Sequence, residues 1–200
     1  MTLQDAGAGV VLSTPGALRG AVAGLIGEGL LREGSAPKDP AREGPAAEGP
    51  VAESQVAETI SVAVDPRLSH LAADLVEMGI SAFEASDCTS PALAAAQVGI
   101  TPALAAIAES GTVVVGPGDG AEGLLAVLPP HHIVILPEQL IDPDLPGALT
   151  RIAPEVARAG TRVVFITGPS RTADIELTTV LGVHGPLRLD VIVVREETVS

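Results

Sequence analysis

The stretch Phe165-Ile-Thr-Gly-Pro-Ser-Arg-Thr-Ala-Asp-Ile-Glu176 concentrates side chains that can hold an anion. An apolar run ends there, a Gly-Pro-Ser turn follows, and the pattern over 172–183 predicts a helix. In a parallel sheet such a turn opens on the crevice at the carboxyl ends of the strands, where ligands bind. N–H groups at the helix start and the hydroxyls of Thr167, Ser170 and Thr172 would solvate negative charge. Arg171, the only basic residue between 163 and 187, could clamp a carboxylate or phosphate through two N–H groups. Asp174 and Glu176 act against an anion there. They suit plain helix capping instead, with Ser170 or Thr172 as N-cap and acids complementing the dipole. A second candidate is Glu109, beside the turn Ser110-Gly-Thr112. A carboxylate facing the crevice could serve as base or nucleophile.

Other chemistries fit poorly. Gly118-Asp-Gly-Ala-Glu-Gly123 has dinucleotide-fingerprint spacing. The apolar run Leu124–Leu128 after it predicts a strand rather than the helix that would carry the phosphates, so a hairpin turn is expected. Gly168-Pro-Ser-Arg-Thr172 lacks the last glycine of a nucleophile elbow. His131 and His132 are adjacent, so on a strand they point to opposite faces. His184 is placed at the end of the 172–183 helix, before Gly185-Pro186. No metal site is expected from these histidines, and the single Cys88 can form neither an internal disulfide nor an iron–sulfur cluster.

The elements that must position these residues follow from pattern. Residues 16–31 carry a helical stripe, Leu18, Val22, Leu25 and Ile26, diluted by glycines. Residues 32–57 contain Gly, Pro, Ala and charge but hardly any large apolar side chain, and predict a flexible linker with local polyproline II character. From Thr59 strand and helix patterns alternate. Strands are expected at 59–64, 80–84, 112–115, 124–128, 133–136, 162–167 and 189–194. Helices are expected at 67–79 (Leu68, Leu71, Leu75, Met78), 144–159 (Leu145, Leu149, Ile152, Val156) and 172–183. Residues 101–109 suit a helix or, over 105–108, a strand. Such alternation means crossover connections and a mostly parallel sheet: an α/β fold of three layers. The expected organisation is an N-terminal helix and linker over 1–58 and a domain over 59–200.

The 200 residues carry 11 Lys and Arg against 25 Asp and Glu, a formal net charge of −14. That surface repels nucleic acid and anionic lipid, and two phenylalanines without Trp or Tyr offer little to stack bases on. No apolar run approaches the length of a membrane span, and no basic residue precedes Arg19, so no signal peptide is expected. These features point to a soluble, cytoplasmic protein that binds neither nucleic acid nor membrane.

Four segments in order, Ile100-Thr-Pro-Ala-Leu-Ala-Ala-Ile-Ala-Glu-Ser-Gly-Thr-Val-Val-Val115, Leu128-Pro-Pro-His-His-Ile-Val-Ile-Leu-Pro137, Thr167-Gly-Pro-Ser-Arg-Thr-Ala-Asp-Ile-Glu-Leu177 and Val183-His-Gly-Pro-Leu-Arg-Leu189, resemble the lactate-utilisation C family, also called the LUD domain or DUF162. The resemblance covers about 59–200. Ser110 stands where that family usually has threonine. The resemblance implies a fold like the NagB/RpiA/CoA-transferase superfamily and favours a strand at 105–108. It further implies an accessory subunit of iron–sulfur-dependent L-lactate oxidation. Such a subunit has no cofactor of its own. It binds a small anionic ligand and iron–sulfur lactate-utilisation partners, and a homo-oligomer is compatible with it. The candidate ligand set is Thr112, Gly168, Ser170, Arg171, Thr172, Asp174 and Glu176. The alternative is a stand-alone isomerase or acyl-CoA-transfer enzyme using Glu109.

Overall fold

The computed structural model describes residues 4, 7–33, 60–87, 90–116, 124–159, 163–173, 179–181 and 185–196. Within them the strands are β1 (Gly9–Ser13), β2 (Ser61–Val64), β3 (Ser81–Glu84), β4 (Val98–Ile107), β5 (Thr112–Val115), β6 (His131–Pro137), β7 (Ile141–Asp142), β8 (Val164–Ile166), β9 (Arg171–Ala173), β10 (Thr179–Leu181) and β11 (Arg188–Val194). The helices are α1 (Leu18–Glu33), α2 (Ser69–Glu77), α3 (Ser90–Ala95) and α4 (Leu145–Ala159).

A parallel sheet runs β1-β11-β6-β4-β2-β3. Ile133–Leu136 of β6 and Val191–Val194 of β11 are continuous apolar runs, as expected of strands covered on both faces. In β6 all residues from His131 to Leu136 are buried. Ile100, Ile133, Ile135 and Ile192 meet one layer made by α1 and α2, through Val22, Leu25, Ile26, Leu71 and Leu75. Val134, Leu136, Val191 and Val193 point to the opposite face, against Ala103, Ala106, Val113 and Val115.

That second face exists because β4 belongs to two ladders. Val98–Pro102 pairs in parallel with β6. Beyond a register shift at Ala103/Ala105 the same strand pairs antiparallel with β5 and in parallel with β7. A bulge of this kind turns the strand and its twist. β8 then joins β5 antiparallel, Val113 opposite Ile166. The helix α4 lies over this arm, burying Ala148 and Ile152 against Ala105, Ile107 and Val114.

The α/β, mostly parallel architecture is the expected one, and the ambiguous 101–109 segment is strand through Ile107. Five local expectations change. Leu124–Leu128 is a helical turn, closed by Leu124 O accepting from the N–H groups of Val127 and Leu128. Where the predicted helix at 172–183 is described, at 172–173 and 179–181, it is strand, β9 paired antiparallel with β10; Thr172, Thr179 and Val180 are β-branched and prefer the pleated state. The strand at Val164–Ile166 is half exposed rather than buried, with Phe165 43% exposed. Met78 ends its helix exposed at 47%, and on α4 Leu145 and Leu149 face outward while Ala148 and Ile152 turn in. Lastly, β1 pairs with β11 over Gly9–Ser13 and α1 packs on the core, so the expected boundary at 58/59 does not separate the N-terminal segment from the domain. The expected linker lies outside the described residues apart from Arg32 and Glu33, which end α1. His184 and the 117–123 glycine loop also lie outside them.

Candidate functional site

The chain leaves β4 at Ile107 and returns in β5 at Thr112 through a tight turn. Gly111 holds φ 60°, a left-handed conformation that favours glycine. The turn sits at the carboxyl end of β4. Because β8 is antiparallel to β5, its own carboxyl end, Ile166, arrives at the same place. The loop from Thr167 to Ser170 therefore projects beside Thr112.

Three hydroxyls meet there. Thr112 Oγ1 is 2.8 Å from Ser110 Oγ and 3.0 Å from Thr167 Oγ1. Thr112 is buried, whereas Ser110 and Thr167 are half-buried. The loop is closed from a third direction: Ser170 N–H donates to Pro186 O at 2.9 Å, and a side chain at Gly185 would stand 3.4 Å from Ser170 Cβ. Ser110 and Thr112 thus meet Thr167 from far along the sequence in one hydroxyl cluster, and the loop that follows Thr167 is tied to Pro186. Each hydroxyl can both donate and accept, so the cluster can meet a carboxylate, a phosphate or a carbonyl.

Glu109 borders the patch on its exposed side. Its Oε1 accepts from Leu145 N–H, at 3.3 Å, at the start of α4. A carboxylate in the first turn of a helix complements the dipole. Asp144 Oδ1 caps the same turn by accepting from Gly147 N–H at 2.9 Å. Asp142 takes both N–H arms of Arg151, at 2.7 and 2.9 Å, and that hydrogen-bonded pair holds the Asp142 carboxyl below its ordinary range. The acids near the patch thus anchor α4 beside it.

Of the candidate residues, Thr112 is brought to Thr167, from which the loop through Gly168 and Ser170 departs, and Glu109 precedes Ser110 of the cluster. Arg171 and Thr172 follow in β9. Asp174 and Glu176 lie outside the described residues. The expected helix-start N–H groups are absent from this position because Arg171–Ala173 is strand, and the Ser170 N–H is already engaged by Pro186. The Ser110–Thr112–Thr167 contact escaped sequence reading, since nothing in spacing links residues 55 apart.

A second polar cluster lies at the amino ends of β6 and β11. His131 Nε2 donates to Asp190 Oδ2 at 2.7 Å, and Arg188 Nε donates to the same oxygen at 2.6 Å. Burial pushes the Asp190 carboxyl up, but His131 and Arg188 outweigh it and hold it low. His132 points to the other face, 2.9 Å from Thr101 Oγ1, with its Nδ1 unpartnered among the described residues. Complete burial, reinforced by the neighbouring His131, lowers its pKa to about 3.

A mostly parallel α/β sheet with a hydroxyl patch at the carboxyl ends of β4 and β8 is the class of protein that these features define. The LUD domain family model matches residues 6–194, and the chain belongs to that family. It is similar to Lactate utilization protein C of Halalkalibacterium halodurans, 42% identical over 105 residues, which make up 50% of this chain and 45% of that protein. It is likewise similar to Lactate utilization protein C of Bacillus subtilis, 38% identical over 104 residues, 50% of this chain and 43% of the relative. The matched stretch spans less than half the length of these curated relatives. A crystal structure of a DUF162 family protein from Deinococcus radiodurans shares the fold, with a TM-score of 0.63 and 22% identity, covering 96% of this chain and 91% of that one. No described helix is long and apolar enough to cross a membrane.

Proposed function

We propose that the chain is an accessory, ligand-binding component of a lactate-utilisation system. The carrying observation is the meeting of Ser110, Thr112 and Thr167 in one hydroxyl cluster at the start of the loop that leads to Ser170 and Arg171. The names of its relatives support the lactate connection. The patch takes a small anion such as a carboxylate or phosphate, with Arg171 following directly after Ser170 as the source of positive charge. One cysteine per chain cannot hold an iron–sulfur cluster, so the electrons from lactate pass through iron–sulfur partner proteins. Glu109 is engaged with the α4 backbone, which favours a binding role over the alternative of an enzyme with Glu109 as its base.

The test is calorimetry of L-lactate, phosphate and coenzyme A on the wild type, Thr112→Val and Arg171→Ala. One of the three ligands is expected to bind, and Arg171→Ala weakens it about ten- to a hundredfold, the range for a charged hydrogen bond. Loss of L-lactate growth on deletion of the gene, restored by the wild type and not by Thr112→Val, ties binding to the pathway. Absence of binding by all three ligands together with unchanged growth refutes the reading.

A further inference from the structure

At the carboxyl ends of β1 and β11, remote in sequence from the hydroxyl patch, the structure holds an open cavity of about 660 Å³. Its apolar wall is Leu12, Ala17, Ala21 and Met78, and its two charged residues are Arg19 and Arg195. Leu12 and Met78 are 60% and 47% exposed, large apolar groups that the chain's own core does not cover. The volume is that of a small-molecule site, and the carboxyl end of parallel strands is where such sites form.

Both charged residues of its lining are cationic in a chain of net charge −14, although Arg19 also borders a neighbouring depression lined by His70 and Asp74. The chain has 25 acidic residues, yet the turn Pro15–Ala17 and the start of α1 carry none in their first turns. The Thr14 side chain makes no capping bond to that turn. Arg195 pairs with Glu138 at 2.9 Å; Arg19 has no ion-pair partner among the described residues.

Gly16 and Gly20 line the cavity, and among the described residues a Cβ at either would meet nothing within 4 Å, as is also true of Gly24 and Gly27 on the same helix. A side chain placed at Gly20 therefore has room to project without disturbing the described packing.

We infer that this cavity binds an amphipathic anion, an aliphatic chain ending in a carboxylate, with the chain against Leu12, Ala21 and Met78 and the carboxylate at Arg19. The assignment is independent of the hydroxyl patch. The test uses calorimetry with hexanoate and, as the uncharged isostere, 1-hexanol. Hexanoate is expected to bind once per chain, about tenfold or more tighter than hexanol, the discrimination of one charge-assisted contact. Arg19→Gln removes that preference. Gly20→Leu projects a side chain into the cavity and weakens hexanoate binding about tenfold or more while the melting temperature holds or rises, because leucine is the better helix former. Thr112→Val, in the other site, leaves hexanoate binding unchanged. No saturable heat with hexanoate, equal binding of hexanol, or full binding by Gly20→Leu overturns the inference.

Discussion

His132 shows at the residue scale how burial becomes a pH dependence. Its pKa falls from 6.5 to about 3 through desolvation and the neighbouring His131. The unfolded chain therefore binds a proton that the native chain refuses, and stability rises with pH throughout that interval. It is fully present above about pH 6.5 and is lost as pH falls toward 3. At pH 4.5 the loss is about 3 kcal/mol, from two pH units below the ordinary histidine pKa. Asp190 works in the same direction in a lower window, since a depressed carboxyl stabilises above its ordinary value and the gain is lost on acidification. Urea unfolding at pH 7 and 4.5 measures this, and His132→Gln should flatten the slope between them whatever it does to absolute stability. At the patch, Thr112→Val keeps the shape and deletes both hydroxyl contacts. A cost of about 1–2 kcal/mol is expected in the same assay, because Ser110 and Thr167 are left half-buried without their partner.

Among the elements, β1 is the one whose attachment is least evident from its composition. Gly9 lies against Asp190, and a Cβ there would collide with the Asp190 carboxylate. That carboxylate accepts from His131 and Arg188, and Arg188 also reaches Glu28 of α1 at 3.7 Å. One buried acid thus ties together β1, β6, β11 and α1. Gly9→Ala should cost about 1–3 kcal/mol, the range for overpacking a tight site, read as a fall in the thermal midpoint. Leu71→Ala, on the buried face of α2, should cost about 2–5 kcal/mol by leaving a cavity. The comparison separates a polar latch from ordinary core packing.

Among the described residues the nine-stranded sheet and the cores on its faces begin near residue 9, and the family match over 6–194 has the same extent. A truncation that starts at residue 59 would bare the β11 edge and the face of Ile192, Ile133 and Ile135 that α1 covers. That fragment should aggregate or bind a hydrophobic dye where the full chain does not. Light scattering and dye fluorescence on the two proteins check this, and a soluble, cooperatively folding 59–200 fragment would show that β1 and α1 are dispensable.

Strands β2, β6 and β11 and helices α1 and α2 were legible in the sequence because burial on both faces, or on one stripe, leaves a local mark: the run Ile133–Leu136, the spacing of Val22, Leu25 and Ile26; β4 was not, because its alanines suit helix and strand alike. Family membership was legible in the same way, from contiguous motifs. What tertiary structure alone decided is non-local. β1 is a short run, Val10-Val-Leu12, whose strand partner lies 181 residues away. The segment after Ser170 alternates hydroxyl, apolar and acidic residues that suit a helix face, yet pairing of β9 with β10 satisfies its backbone and wins over propensity. The contact between Thr112 and Thr167 depends on the bulge that sends β4 into a second ladder. Sequence spacing records neighbours along the chain, and these features are made by hydrogen bonds across it.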